Sequence, residues 1–233
     1  MADFFLGLVQ IVMVNLVLSG DNAVVIALAC RNLKPELQKK AVFWGSFGAI
    51  ALRVILTFIA VWMLKIPFVQ MIGGLLLIWI AIKLLVGDEE ESHIGSGSSM
   101  REAMKTIIFA DLIMSLDNVI AVAGAANGNL LLVIIGLAIS IPLIIWGSQL
   151  LMKLMSRFPI IVLLGAALLG YTAGEMIVGD KLVGPFLEGL LPALHIILPI
   201  GLAIIVVAAG SVLKRKAESK AQERMAQDHP NTI

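Results

Sequence analysis

The strongest constraint on this chain is a series of apolar segments that are each long enough to cross a membrane. The hydrocarbon core of a bilayer is roughly 30 Å thick and takes about 20 helical residues to span. The sequence predicts about seven such spans, at 4–30, 41–64, 67–86, 104–126, 130–152, 159–178 and 193–213. Hydrophobic residues make up 60% of the 233 residues and charged residues 14%, more apolar surface than a soluble domain of this size can bury. We therefore expect an all-α polytopic protein of the cell membrane, surrounded by the lipid bilayer.

Lysine and arginine residues near the ends of these spans predict the orientation of the chain. Cytoplasmic connections carry an excess of these residues. One side carries Arg31, Lys34, Lys39, Lys40, Arg101, Lys105, Lys153, Arg157, Lys214, Arg215 and Lys216. The other side carries only Lys65 and Lys181. The N-terminus is therefore expected outside and the C-terminus in the cytoplasm.

Two parts of the chain share polar and glycine positions. "NLVLSGDNAVVIALA" (15–29) aligns with "DLIMSLDNVIAVAGA" (111–125), and "GGLLLIWIAIKLLVGD" (73–88) aligns with "GAALLGYTAGEMIVGD" (165–180). This pattern indicates a duplicated unit of three spans. Because three is odd, the second copy must be inverted relative to the first. Inverted repeats are typical of secondary transporters, which alternate access around a central site.

The duplication sets the expected organisation of the chain. Residues 1–86 form the first three-helix repeat, and residues 103–180 form the second, inverted repeat. Between them, residues 87–102 form an acidic, Gly/Ser-rich cytoplasmic linker. A seventh transmembrane helix lies within 181–213, and a basic cytoplasmic tail covers 214–233.

Each repeat places an Asp-Asn pair inside a predicted span. The pairs are Asp21–Asn22 and Asp117–Asn118. At a rise of about 1.5 Å per residue, each aspartate lies about 15 Å from the end of its span, near the midplane of the bilayer. A carboxylate there costs roughly 2.5–3.5 kcal/mol on insertion scales, so it is a functional residue by default.

Neighbouring polar residues share the faces of the same helices. They follow the same i, i+4, i+7 spacing in both repeats: Asn15, Ser19 and Asn22, then Asp111, Ser115 and Asn118. Their carboxylate, amide and hydroxyl oxygens suit a hard divalent cation such as Mn²⁺, Mg²⁺ or Ca²⁺. Hydrogen bonding between helices is the alternative role for Asn15 and the two serines.

Two further charges lie inside predicted spans. Arg53 is near the middle of the second span, and it either pairs with a motif aspartate when no metal is bound or forms a permanent structural ion pair. Glu175, in the sixth span, is either a residue of the membrane interface or an outer gating ligand or proton carrier.

These features together resemble the TerC family of integral membrane proteins. The resemblance rests on the repeated S-x-D-N motif, the duplication of three spans with a seventh, the chain length and the acidic central loop. It extends from Phe4 to about Leu213. The family is named for tellurite resistance, and several of its members are linked to manganese efflux.

The resemblance implies Mn²⁺ export, with the acidic motif residues as the metal site. By position, the implied metal-site residues are Asp21, Asn22, Asp117 and Asn118, with Asp111 opening the second motif. Asn15, at the equivalent position of the first motif, is not acidic, so the two halves are chemically unequal.

The expected function is that of a secondary transporter rather than an enzyme. Mn²⁺ is the expected transported ion. No nucleotide-binding motif G-x-x-x-x-G-K-[ST] is present, so protons are the expected counter-ion. The formal net charge of +1 gives no indication of nucleic-acid binding.

Other classes of protein remain as alternatives. One is a membrane enzyme, although the metalloprotease motif H-E-x-x-H is absent. Another is an accessory protein that supplies metal to secreted proteins, with the secretion machinery as its partner. A third is an exporter of another cation or of an organic solute. Further copies of the chain are the remaining expected partner, as a homo-oligomer.

Overall fold

The computed structural model describes residues 7–13, 15, 19–63, 66–87, 96–125 and 130–228, and all regular structure in these ranges is helical. The helices are α1 (residues 7–13), α2 (Gly20–Cys30), α3 (Pro35–Met63), α4 (Val69–Val86), α5 (Ser96–Ala125), α6 (Leu130–Arg157), α7 (Ile160–Gly179), α8 (Val183–Leu190) and α9 (Leu194–Asp228).

Within the described ranges, five stretches of helix are long and apolar enough to cross a membrane. They are Pro35–Thr57, Val69–Val86, Val133–Arg157, Ile160–Gly179 and Leu194–Ala217. The prediction of a multi-pass helical membrane protein is therefore confirmed. The first, second and fourth predicted spans extend into residues outside the described ranges. The number of seven spans and the orientation of the chain stay predictions.

Local chemistry accounts for several helix ends. Helix α3 begins at Pro35, where the fixed φ and missing N–H of proline suit the first helical position. Helix α4 ends at Gly87, whose φ of 77° favours glycine and whose N–H donates to the Lys83 carbonyl at 3.1 Å. Helix α5 begins at Ser96, inside the segment predicted as a linker, because Met100, Arg101 and the residues after them favour helix.

One carboxylate connects the start of α4 to the turn after α7. Asp180 Oδ1 accepts the N–H groups of Leu182 at 3.0 Å and Val183 at 3.3 Å, and Oδ2 accepts the N–H of Met71 at 3.3 Å. Burial raises the pKa of Asp180, but the backbone donors outweigh it and hold the pKa below its usual range. Asp180 therefore stays ionised at neutral pH and holds these two helices together.

The contacts between helices can be set against the predicted duplication. Helix α3 packs on α5, and its counterpart α6 packs on α2. Helices α4 and α7 pack on each other, and α9 packs against both. When α2, α3 and α4 are exchanged for α5, α6 and α7, the α3–α5 contact becomes the α6–α2 contact. The α4–α7 contact becomes itself under the same exchange. The duplication itself and the inversion of the second repeat relative to the membrane stay predictions.

Glycines let α7 and α9 approach closely. A Cβ added at Gly170 would lie 2.9 Å from the Cα of Ala203. A Cβ added at Gly174 would overlap the backbone of Pro199. Small residues at such contacts are common in membrane proteins, because close backbone approach replaces the hydrophobic effect as the source of helix association.

The substitution Gly174→Ala should therefore destabilise the α7–α9 contact. We expect the free energy of unfolding to fall by about 1–3 kcal/mol, as for other overpacked sites, because α9 must move away from α7. Thermal unfolding of the purified protein in detergent measures this. Gly201→Ala is the matched control, since nothing lies within 4 Å of a Cβ at that position of α9. Equal stability of the two variants would contradict the close contact.

Candidate functional site

A buried arginine organises the polar groups in the interior of the protein. Arg53 lies near the middle of α3, and only 1% of its surface is exposed. Its guanidinium forms an ion pair with Asp111 and donates to Ser115 Oγ at 2.8 Å. It also donates to Asn15 Oδ1 at 2.7 Å and Ser19 Oγ at 3.1 Å. We call these five residues the Arg53 cluster.

The acceptors of this arginine come in two pairs from corresponding positions of the predicted repeats. Asp111 and Ser115 lie one turn apart on α5, and Ser115 Oγ donates to Asp111 Oδ2 at 3.1 Å. Asn15 and Ser19 lie one turn apart ahead of α2, and Ser19 Oγ donates to Asn15 Oδ1 at 3.3 Å. In the alignment of the repeats, Asn15 corresponds to Asp111 and Ser19 to Ser115. Matching pairs from the two predicted repeats therefore converge on one positive charge.

The ion pair makes the Arg53 cluster electrically neutral. Asp111 is 8% exposed and Arg53 1%, so both charged groups are buried away from water. An isolated charge in such surroundings is very costly, and a pair is tolerated when further hydrogen bonds satisfy the remaining donors. Asn15, Ser19 and Ser115 supply those hydrogen bonds. The cluster thus holds one positive group through carboxylate, amide and hydroxyl oxygens.

A small cavity lies beside the Arg53 cluster. Its volume is about 10 Å³, close to the space that one water molecule needs. We call it the Asn22 cavity, and it is lined by Asn22, Val25, Ile26, Ser46, Ala49, Ile50, Arg53, Ile107, Asp111 and Ile144. Both polar side-chain atoms of Asn22 and the hydroxyl of Ser46 are buried without a hydrogen-bond partner among the described residues. An unpaired buried polar group costs about 1–3 kcal/mol, so this wall is suited to a small polar or charged ligand.

The predicted Asp-Asn pairs occupy different surroundings. Asn22 faces the cavity, whereas Asp21 is half-buried and its Oδ1 accepts the N–H of Asn22 at 2.8 Å. Asn118 is half-buried on α5. Asp117 belongs to the same helix, but its side chain lies outside the part of the chain that the structure describes. Metal binding by these four residues stays a prediction.

Glu175 lies apart from the Arg53 cluster. Its side chain is exposed on α7, and it takes part in none of the hydrogen bonds of the cluster. Within the described side chains, no group of three or more His, Cys, Asp or Glu residues is placed to hold a metal ion.

Sequence reasoning did not identify Ser46 as a site residue. Ser46 and Arg53 are seven residues apart on α3, which places them on the same face two turns from each other. That spacing from a buried arginine is the signal that would have identified the serine.

Comparison with known proteins relates the whole membrane region to one family. The sequence profile of the Integral membrane protein TerC family matches residues 1–218. The "Uncharacterized membrane protein YjbE" of Bacillus subtilis (strain 168) is 46% identical over 200 residues, which cover 83% of this chain and 92% of that protein.

More distant relatives cover similar shares of this chain. The "Uncharacterized membrane protein YceF" of Bacillus subtilis (strain 168) is 27% identical over 177 residues, or 72% of this chain and 68% of that protein. The "UPF0053 protein YegH" of Escherichia coli (strain K12) is 24% identical over 223 residues, or 87% of this chain and 41% of that protein. No solved structure matches the chain significantly.

The buried ion pair should show strong coupling between its two members. Asp111→Asn should lower the free energy of unfolding by about 3–5 kcal/mol, because it leaves Arg53 buried without a counter-charge. Arg53→Met should have a similar cost, and the double variant should recover much of the loss. Thermal unfolding of the four proteins in detergent measures this coupling.

A second ion pair on the same helix provides the control for this cycle. Lys83 of α4 pairs with Glu102 of α5, and both side chains are partly exposed. Glu102→Gln should change stability by no more than about 1 kcal/mol, because solvent screens the pair. Equally small effects of Asp111→Asn and Glu102→Gln would contradict the central role of the buried pair.

Proposed function

This chain belongs to the TerC family of integral membrane proteins, and from that premise we propose that it is a secondary transporter that exports a divalent metal cation, Mn²⁺, from the cytoplasm. The observation that supports this most directly is the Arg53 cluster. Pairs of polar side chains from both repeats hold one positive charge in the interior. Carboxylate, amide and hydroxyl oxygens are also the ligands that a hard divalent cation requires. In this proposal the protein is not an enzyme.

Arg53 acts in this proposal as an internal competitor of the transported metal. The guanidinium occupies Asp111 and the neutral acceptors around it. A metal that binds Asp111 displaces the guanidinium, and departure of the metal lets it return. When no metal is bound, the buried carboxylate of Asp111 therefore keeps a counter-charge. That counter-charge lowers the free-energy cost of a conformational change of the empty site.

The Asn22 cavity supplies oxygens that Arg53 does not use. Asn22 Oδ1 and Ser46 Oγ are unpartnered and face the same small volume that Asp111 borders. A cation there gains two neutral oxygens and one carboxylate. Asp21 and Asp117 of the two motifs are the further carboxylates in this proposal.

Charge balance at the site gives the number of protons exchanged for each Mn²⁺ ion. With Mn²⁺ bound, the carboxylates of Asp21, Asp111 and Asp117 balance the two charges of the metal and the one charge of Arg53. Without the metal, Arg53 balances Asp111, and the other two aspartates are neutral once each has taken up a proton. Exchange of two protons for one Mn²⁺ therefore keeps the site neutral in both states, which avoids a buried net charge.

Removal of the unpartnered groups should separate transport from stability. Asn22→Ala and Ser46→Ala should each slow Mn²⁺ flux by roughly tenfold or more, equivalent to about 1.4 kcal/mol for a lost ligand. Neither should lower stability much, because the removed atoms have no hydrogen bond to lose among the described residues. Flux into proteoliposomes with a trapped metal-sensitive dye and thermal unfolding are the two measurements.

Ser140→Ala is the matched control for this comparison. Ser140 is a buried serine of α6 whose hydroxyl donates to the Gly136 carbonyl at 2.9 Å. The Ser140→Ala variant should transport Mn²⁺ as the wild type does. Wild-type flux in both Asn22→Ala and Ser46→Ala would remove the Asn22 cavity from the transport path. Loss of stability in parallel with flux would point to a structural role instead.

The exchange ratio predicts which gradient drives transport. An imposed pH gradient should drive Mn²⁺ flux, whereas a membrane potential set with K⁺ and valinomycin should not, because the exchange moves no net charge. Metal-sensitive and pH-sensitive dyes in the same liposomes measure both ions. Flux that ignores the pH gradient would refute proton exchange. Flux that follows the potential would refute the ratio of two protons while leaving metal transport intact.

A further inference from the structure

A second and much larger cavity lies where the ends of several helices meet. Its volume is about 640 Å³, within the range of about 300–1,000 Å³ that is usual for small-molecule sites. We call it the basic cavity, and it is lined by Arg31, Asn32, Pro35, Gln38, Lys39, Val86, Gln149, Met152, Lys153, Met155, Ser156, Pro159, Val162 and Lys214. These residues come from the connection between α2 and α3, the start of α3, the ends of α4 and α6, the start of α7 and helix α9.

The charged groups of this cavity all have the same sign. Arg31, Lys39, Lys153 and Lys214 line it, and none of the lining residues is acidic. In the part of the chain that the structure describes, no carboxylate forms an ion pair with Arg31, Lys39 or Lys153. Like charges brought together in this way repel each other, and an anion between them would relieve the repulsion.

Arg31 is fixed in position by the end of α4. Its Nη2 donates to the carbonyls of Leu84 at 2.9 Å and Leu85 at 3.4 Å, and Gln38 Nε2 donates to the Arg31 carbonyl at 3.2 Å. Burial lowers the pKa of Arg31, as expected for a cation that has lost water. The positive charge is therefore held in place at the wall of the cavity.

Part of the cavity wall is apolar. Met152, Met155 and Val162 contribute to it, together with Pro35 at the start of α3 and Pro159 just before α7. The cavity lies at the level where membrane-spanning helices end, which is the level of lipid headgroups. An amphiphilic anion would satisfy the charged and the apolar parts of the wall at once.

We propose that the basic cavity binds the phosphate headgroup of an anionic phospholipid. The phosphate lies among Arg31, Lys39 and Lys153, and the glycerol and upper acyl chains lie against the apolar wall. Arginine and lysine are the side chains that suit phosphate oxygens best. A free phosphate shares the anionic chemistry but leaves the apolar wall uncovered. The cavity repels cations, so this site is separate from the proposed metal path and does not depend on it.

The proposal is tested by binding to the purified full chain after removal of lipid in neutral detergent. The probes are short-chain phosphatidylglycerol, short-chain phosphatidylcholine and inorganic phosphate. Stabilisation against heat as a function of ligand concentration gives the apparent affinity. Phosphatidylglycerol should stabilise the protein saturably, and phosphatidylcholine should bind at least tenfold more weakly. The double variant Lys39→Gln, Lys153→Gln should weaken phosphatidylglycerol binding by roughly tenfold or more.

The control removes the same number of charges from the same side of the molecule. Lys34 and Lys40 are exposed but do not line the cavity, so Lys34→Gln, Lys40→Gln should retain wild-type affinity. The single variants Lys39→Gln and Lys40→Gln repeat the comparison if a double variant fails to fold. Equal affinity in the cavity and control variants, or equal binding of phosphatidylcholine, would overturn the proposal. Inorganic phosphate binding as tightly as phosphatidylglycerol would overturn the lipid as the ligand.

Discussion

The interior of this protein depends on one buried positive charge. A guanidinium among apolar helices is tolerated only with a counter-charge and a nearly complete set of hydrogen bonds. Asp111 supplies the charge, and Asn15, Ser19 and Ser115 supply the hydrogen bonds. These acceptors lie on two segments far apart in sequence, so the same interaction that neutralises Arg53 also fixes α3 against α5 and against the chain before α2. Any ligand that competes for these oxygens therefore acts on helix association as well.

The length of each apolar segment predicted most of the described helices, because bilayer thickness limits helix length directly. The third and sixth predicted spans, 67–86 and 159–178, correspond to Val69–Val86 and Ile160–Gly179. The short helix Val183–Leu190 was not predicted, because eight residues are too few for a criterion based on crossing the membrane. The early start of α5 was missed because helix outside the bilayer depends on propensity and not on hydropathy.

The candidate site was predictable in part. Spacing along each helix identified Asp111 with Ser115 and Asn15 with Ser19, because residues four apart share a face. Spacing did not determine which aspartate faces Arg53, since that depends on which helices pack together, and the close contact of α3 with α5 selects Asp111. Ser46 was missed because a serine in an apolar helix usually bonds to a carbonyl of its own helix, as Ser140 does.

The chemical inequality of the two predicted repeats sets the charge of the site. Asn15 stands where the second repeat has Asp111, and both side chains contact the same guanidinium. Aspartate at both positions would leave a net negative charge around Arg53, and asparagine at both would leave a net positive one. With one aspartate and one asparagine at these positions, the site around Arg53 is neutral. The difference at this pair of positions therefore allows an internal arginine to balance the charge of the site. In the proposed transport cycle, a buried site that changes conformation without its cation needs that balance, because an uncompensated charge would oppose the change.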